Sequence, residues 1–108
     1  HTKKCKSGDA PTREIAPQNF CKVILSTEVR IVAITNHNVF DLAQYTEIAT
    51  NLGEEVQVWP GIELDILEEV SRGHLLVIVS PKIAKDFSEA ADALTRGSSP
   101  DDITTTID

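Results

Sequence analysis

Residues 30–35 of the chain read Arg-Ile-Val-Ala-Ile-Thr, a short run in which β-branched side chains predominate. Such a run is typical of a strand that is covered on both faces, because β-branched side chains pack well on a pleated surface. Asn36, His37 and Asn38 follow directly, so polar groups stand at the predicted strand end. Residues 74–79 read His-Leu-Leu-Val-Ile-Val and predict a second buried strand.

Helical periodicity follows the first of these strands. Asp41 suits the N-cap of a helix, and Gly53 suits its end. The apolar stripe of this helix recurs every three or four positions and consists of Leu42, Tyr45, Ile48, Ala49 and Leu52. Two further helices are predicted, one over residues 17–29 with Pro17 in the first turn and one over residues 84–95.

The segment between residues 56 and 66 predicts two short strands. Residues 56–59 form the first, which Pro60-Gly61 is expected to halt, and residues 62–66 resume with alternating apolar and acidic side chains. If residues 64–66 pair back against the strand that starts at His74, Glu63 and His74 come opposite each other on one face.

Strand and helix patterns alternate, which predicts one α/β domain over residues 1–108 with parallel strands and right-handed crossovers. A chain of 108 residues is long enough for one core and too short for two. Because the chain begins with His1 and no strand precedes the first predicted helix, we expect it to be an incomplete fragment.

Composition, charge and missing motifs argue against several classes of function. Seventeen acidic and ten basic residues give a formal charge of −7, which argues against non-specific binding of nucleic acid and is compatible with binding cations. Cys5 and Cys21 fall in different predicted environments, and the chain has no leader pattern and no long apolar run. We therefore expect a reduced, cytoplasmic protein without membrane contact. Nucleotide-binding glycine motifs, a serine elbow and a convincing Cys/His nucleophile pair are absent from the sequence.

All three histidines, His1, His37 and His74, lie beside predicted strand ends. Side chains beyond the carboxyl ends of parallel strands gather on one face, and imidazoles with a carboxylate such as Glu63 can bind divalent metals. Taken alone, a histidine near a strand end is more often a loop or capping residue than a ligand. Glu63 alone is equally well explained as the polar side of an exposed strand.

The N-terminal loop contains a basic cluster of Lys3, Lys4 and Lys6. A solvated loop explains this cluster better than a phosphate clamp does. For Asp9 the sequence leaves two roles equally open, the capping of residues 12–15 and the binding of a metal.

Three strings of residues together resemble the PHP family, the polymerase and histidinol phosphatase superfamily of metal-dependent phosphoesterases. They are ITNHN at residues 34–38, PGIEL at residues 60–64 and GHLLV at residues 73–77. His1-Thr2 is similar to the second half of the family's first His-x-His motif, and Asp9 is similar to the aspartate that follows it.

The resemblance implies a distorted (β/α)7 barrel that holds two or three ions of manganese, zinc or iron at the carboxyl ends of its strands. In that barrel His1 would ligate from the first strand, Asp9 and His37 would serve a neighbouring ion, Glu63 would bridge ions and His74 would complete their surroundings. Metal-activated water would hydrolyse a phosphorylated small molecule, a nucleotide or a nucleic-acid end. Lys3 and Lys4 are the candidate phosphate contacts.

The chain also departs from the family pattern. The first histidine of the His-x-His pair, a later histidine and a terminal Asp-x-His motif have no counterpart, and Asn36 stands where the family usually has aspartate. A seven-stranded barrel needs about twice this length. We therefore expect part of a PHP domain that lacks the first strand and the C-terminal half.

Two alternatives stay open at this point. One is a non-catalytic PHP-like module for regulation or assembly, fused to an ATPase domain in the full-length polypeptide. The other is a plain α/β binding domain whose histidines are structural.

Overall fold

The computed structural model describes residues 17–95 and 105–106, which form three helices packed on a mixed sheet. The elements in chain order are α1 (Pro17–Leu25), β1 (Ile31–His37), α2 (Leu42–Leu52), β2 (Gln57–Glu68), β3 (Ser71–Ile78), a 3-10 turn (Pro81–Ile83), α3 (Ala84–Thr95) and β4 (Thr105–Thr106). The predicted α/β class is confirmed.

The sheet has β1, β2 and β3 side by side, with β4 pairing only with β2. β1 and β2 are parallel and are connected through α2, whereas β2 and β3 form an antiparallel hairpin. The two-residue β4 runs parallel to β2 beside Ile66 and Leu67. The prediction of parallel strands is therefore right for β1 and β2 and wrong for β3, for which an antiparallel return was expected only as a conditional pairing. The sequence did not predict β4. Over residues 17–95 and 105–106 the sheet is open and does not close into a barrel.

The predicted bounds of α2 and α3 are confirmed. The Asp41 carboxylate caps α2 by accepting a 2.8 Å hydrogen bond from the Gln44 backbone N–H, and Gly53 ends it at a φ of 62°. α1 ends at Leu25 rather than at residue 29. The hydroxyls of Ser26 and Thr27 each donate a 2.6 Å hydrogen bond to a carbonyl of the last turn, which satisfies the helix end there.

Pro60-Gly61 does not halt a strand, because β2 runs through it without a break. Pro60 is buried, and its carbonyl still accepts a 3.0 Å hydrogen bond from the Val79 N–H, so the missing proline N–H removes only one donor. Gly61 allows close strand packing, since an added Cβ would lie 3.0 Å from the Val77 carbonyl oxygen and 3.1 Å from that of Ile34. The prediction of two separate strands is therefore wrong.

One hydrophobic core lies between the helices and one face of the sheet. It consists of Cys21, Ile34, Phe40, Tyr45, Ile48, Leu52, Val56, Val58, Ile62, Leu64 and Ala91. The Tyr45 hydroxyl donates a 3.0 Å hydrogen bond to the Val58 carbonyl, which ties α2 to β2. None of the helices in the described part of the chain has the length and apolar character that crossing a membrane requires.

The opposite face of the sheet is more open than the sequence predicts. Ile31 of β1 and Leu76 and Ile78 of β3 are each about half exposed or more. The expectation that β1 and residues 74–79 are buried on both faces is therefore wrong for these positions. β3 lies at the edge of the described sheet, and the described helices cover the other face.

Candidate metal site

Three side chains from three different strands lie close together on the open face of the sheet. They are His37 of β1, Glu63 of β2 and His74 of β3. Glu63 receives one histidine on each carboxylate oxygen: His37 Nε2 lies 3.2 Å from Oε2, and His74 Nδ1 lies 2.9 Å from Oε1. One ligand atom from each residue lies within 4.8 Å of the other two. The structure therefore brings together three of the five predicted metal ligands.

The parallel pairing of β1 with β2 explains the first contact, because His37 and Glu63 occupy directly opposite positions. β3 does pair back against β2, which the sequence offered only as a condition, but the register differs from the one that placed Glu63 opposite His74. His74 stands opposite Asp65, and Glu63 stands opposite Leu76. A shift of two positions keeps a side chain on the same face, because strand side chains alternate with a period of two. Glu63 and His74 therefore still make contact.

Asp65 belongs to this cluster although it was not among the residues selected from the sequence. Its Oδ1 lies 3.1 Å from His74 Nε2, on the far side of the ring from Glu63. The signal was present in the alternation of residues 62–66, which places both acidic residues on one face of the strand. Only the hairpin register shows that His74 comes between them.

Asn38 fastens the end of β1 to β2 beside the cluster. It is fully buried and has a left-handed φ of 54°, a conformation that asparagine tolerates better than most residues do. Its backbone N–H donates a 2.8 Å hydrogen bond to the Glu63 carbonyl. Its side-chain amide exchanges two hydrogen bonds with Asp65, one of 2.9 Å and one of 3.0 Å. The backbone therefore leaves the sheet directly after His37, while the hydrogen bonds of Asn38 keep the end of β1 attached to β2.

The donor set suits a divalent cation. Imidazole nitrogen and carboxylate oxygen are ordinary ligands of zinc, manganese and iron, at about 2.0–2.2 Å for zinc. Ligand atoms around such a zinc ion stand roughly 3.4 Å apart, so separations within 4.8 Å require only small side-chain adjustments. His37 and Glu63 are largely buried, whereas the His74 side chain is 58% exposed and leaves an approach from solvent. Three protein ligands also leave a coordination position open, as in catalytic sites.

The electrostatics of the His74 ring also favour a cation. A neutral imidazole has one N–H and one lone pair, yet both ring nitrogens of His74 lie against carboxylate oxygens. One of the two contacts is therefore lone pair against lone pair, unless the ring takes a second proton or a metal ion lies between the atoms. The cluster can be stabilised by protons alone or by a metal.

A cavity of about 360 Å³ adjoins the cluster and is lined by Asp65, Ile66, Arg72, Gly73 and His74. Arg72 precedes His74 by two positions on β3, so both side chains point to the same face. Arg72 therefore adjoins the space next to His74. Arg72 was not selected from the sequence, because an isolated arginine in a polar turn carries no pattern.

The other predicted site residues, His1, Asp9, Lys3 and Lys4, lie outside the described residues, and their roles stay predictions. What the described residues offer is a site of two histidines and one glutamate, with Asp65 and Asn38 beside it. Comparisons of the chain with protein-family models, with curated proteins and with solved structures each find no match.

Proposed function

We propose that the chain is part of a PHP-type phosphoesterase in which His37, Glu63 and His74 bind a divalent ion that serves the hydrolysis of phosphate esters. One observation carries the proposal. Each of the three strings on which the PHP resemblance rests contributes one ligand, and these three ligands converge within 4.8 Å although they lie far apart along the chain.

The position of the site supports the same proposal. His37 is the last residue of β1, and catalytic residues of parallel α/β proteins gather at the carboxyl ends of their strands. β1, α2 and β2 form one crossover unit of the kind from which (β/α) barrels are built. In a partial (β/α)7 barrel, the face that bears the site would be the inner wall, which accounts for its exposed Ile31, Leu76 and Ile78.

In this proposal the residues of the chain have different roles in phosphate ester hydrolysis. Glu63 presents one carboxylate oxygen to each histidine, and His37 and Glu63 are largely shielded from water. The bound ion would supply Lewis acidity and lower the pKa of a water molecule, as metals do in phosphoester hydrolysis. Arg72 at the adjoining cavity offers a guanidinium that can pair with a phosphate group. His1 and Asp9 remain the proposed further ligands in a centre of two or three ions, and Lys3 and Lys4 the proposed phosphate contacts.

The proposed substrates are phosphorylated small molecules, nucleotides or nucleic-acid ends. In this proposal the acidic chain recruits its cations without binding nucleic acid non-specifically. An ATPase domain in the same polypeptide is the proposed partner if the chain serves assembly rather than catalysis.

A structural role for the histidines is the rival explanation, and one observation favours it. Both nitrogens of His74 and one of His37 can form hydrogen bonds to Glu63 and Asp65, and these bonds alone would join β1, β2 and β3. A protonated histidine between two carboxylates needs no metal. Metal content therefore has to be measured directly.

The test begins with elemental analysis of the purified chain, followed by manganese-dependent hydrolysis of an aryl phosphate. We expect stoichiometric metal, and in Glu63→Gln a fall of about 100-fold or more in both metal affinity and hydrolysis, since the amide removes the charge and one acceptor. Glu55→Gln is the matched control, because Glu55 is exposed in the connection between α2 and β2. It should leave both quantities unchanged.

The outcomes separate the three functions. Metal with turnover that depends on Glu63 supports the phosphoesterase. Metal without turnover supports a module for regulation or assembly. No stoichiometric metal at neutral pH, together with unchanged folding of His37→Ala and His74→Ala, would contradict the proposal and leave a binding domain with structural histidines.

A further inference from the structure

The Asn38–Asp65 pair lies behind His74, on the side of its ring opposite Glu63. Asp65 Oδ1 lies 3.1 Å from His74 Nε2, while Asp65 Oδ2 accepts a 2.9 Å hydrogen bond from Asn38 Nδ2. The Asp65 backbone N–H in turn donates a 3.0 Å hydrogen bond to Asn38 Oδ1. His74 is thus the outer end of a hydrogen-bonded chain that starts at a buried amide.

We propose that Asp65 and Asn38 are positioning residues, which hold His74 as the Nε2–H tautomer so that Nδ1 keeps the lone pair that binds the metal. The inference rests on the proposed function for the identity of the ligand. It goes beyond that function by naming the binding nitrogen and the two residues that select it.

The choice of nitrogen follows from where the ligands lie. An ionised carboxylate only accepts hydrogen bonds, and each ring nitrogen of His74 faces one, so a proton or a metal is needed at both contacts. Nδ1 is the nitrogen that faces Glu63 of the candidate site, so a metal bound there takes the Nδ1 lone pair and leaves the proton on Nε2, which faces Asp65. The other nitrogen, Nδ1, then points an unshared pair toward Glu63 Oε1 at 2.9 Å. Two such atoms repel each other without a cation between them, and both are metal ligands. Histidines that bind metals commonly donate the second ring N–H to a carboxylate in this way.

Asn38 fixes the direction of the Asp65 carboxylate. The Asp65 backbone N–H requires an acceptor, so the amide oxygen of Asn38 must face it and the amide NH₂ must face Asp65 Oδ2. Asn38 is fully buried, which prevents water from replacing either bond at the amide. With Oδ2 occupied, Oδ1 remains for His74. The orientation of the ring therefore depends on a residue that does not touch it.

Asp65→Asn tests the inference, because the amide would reverse the polarity of the contact. Asn38 Nδ2 would keep its hydrogen bond to the single side-chain oxygen left at position 65. The new NH₂ group would then face His74 Nε2 as a donor. We expect the proton of the neutral ring to move to Nδ1, which blocks the metal-binding lone pair. The ¹⁵N shifts of His74 in the metal-free chain at about pH 8 would report the tautomer, and Zn²⁺ affinity should fall about 10- to 100-fold. Asp92→Asn, an exposed substitution on α3, is the matched control and should change neither.

Two further measurements keep the inference testable if Asp65→Asn does not fold. They use a second variant and the wild-type chain. Asn38→Gly keeps the left-handed backbone and removes both side-chain hydrogen bonds, so we expect a mixture of His74 tautomers and about 10-fold weaker Zn²⁺ binding. The wild-type tautomer needs no variant. A His74 ring with its proton on Nδ1, or on both nitrogens, would overturn the inference, as would unchanged tautomer and Zn²⁺ affinity in Asp65→Asn. A wild-type chain that binds no Zn²⁺ would overturn the proposed function, while the tautomer comparison would still decide the positioning role.

Discussion

Neighbouring residues of β2 lie in opposite environments. Ile62 and Leu64 pack into the core beneath the helices, whereas Glu63 and Asp65 between them belong to the candidate metal site on the other face. The helix-covered face carries the hydrophobic core, whereas the site face carries the ionisable cluster and is more open to solvent. Because strand side chains alternate, a register shift of one residue would exchange the two sets, and the core therefore stabilises the register that the site needs.

The two faces should respond differently to substitution. Burial of apolar side chains dominates the free energy of unfolding, so substitutions on the helix-covered face should change it most. Hydrogen bonds and ion pairs at partly exposed positions such as His74 contribute little to stability. Substitutions on the site face should instead change metal affinity.

The largest effect on stability is expected from Ile48→Ala. Ile48 is fully buried in α2 against the sheet, and its truncation leaves a cavity that should lower the free energy of unfolding by about 2–5 kcal/mol in urea titration. Val70→Ala in the β2–β3 turn, where the residue is 93% exposed, should stay within about 0.5 kcal/mol. The folded fraction of Ile48→Ala should keep its metal affinity. A similar loss of stability in both variants would contradict the distinction between the faces.

Gly61→Ala should affect both faces. The new Cβ would lie 3.0 Å from the Val77 carbonyl oxygen and 3.1 Å from that of Ile34, so the neighbouring strands must move apart. We expect a loss of about 1–3 kcal/mol in urea titration, together with shifted NMR signals of His37 and His74. Gly73→Ala is the matched control for stability and for the His37 signals, since a Cβ added at Gly73 would meet nothing within 4 Å. The His74 signals are not compared in this control, because Gly73 is the chain neighbour of His74. Equal effects at the two glycines would show that strand spacing does not couple the faces.

Asp41→Ala should weaken α2 without reaching the site. The carboxylate cap on the Gln44 N–H is lost, which should cost about 1 kcal/mol in the free energy of unfolding. Asp41→Asn preserves an acceptor and should differ from wild type by only a few tenths of a kcal/mol. Metal affinity should be the same in all three proteins. A change of metal affinity in Asp41→Ala would mean that the helix-covered face controls the site.

The smallest effect is expected at Cys21, at alkaline pH. Burial, and to a lesser extent the negative charge of Glu47, raises the pKa of the Cys21 thiol above its ordinary value of 9.0. The folded protein therefore holds this proton more tightly than the unfolded chain does, so the stabilisation is present below about pH 9 and is lost as pH rises through the folded-state pKa. In urea titrations the stability advantage of wild type over Cys21→Ala should shrink above that pH. A constant difference would contradict the shift.

Local signals predicted much of the fold. α2 and α3 have the predicted bounds, because a regular apolar stripe in both helices, and in α2 also a capping aspartate and a terminal glycine, act within a few residues. The prediction that Pro60-Gly61 halts a strand was wrong, because the outcome depends on residues that are distant along the chain. Whether a proline and a glycine interrupt a strand depends on what lies beside them, and here β1 and β3 approach Gly61 closely enough to favour continuation. The antiparallel β3 was expected only as a conditional pairing.

The candidate site, like the fold, has some parts that local sequence signals predicted and others that depend on contacts between strands. Residue type and spacing selected His37, Glu63 and His74, which the structure brings together. Asp65 and Asn38 were missed as parts of the site, because their roles depend on the hairpin register and on the turn after β1. Arg72 was missed because only the open face of the sheet places it beside His74.

By itself the sequence determined the alternation of apolar and acidic side chains in residues 62–66, the bounds of α2 and α3 and the candidate metal ligands, since these depend on local periodicity and on side-chain chemistry. Tertiary structure alone decided the register of the β2–β3 hairpin, that His74 lies between Glu63 and Asp65, and that Asn38 orients Asp65. These relations join residues from separate strands, and their distances are fixed by strand register and packing rather than by position along the chain.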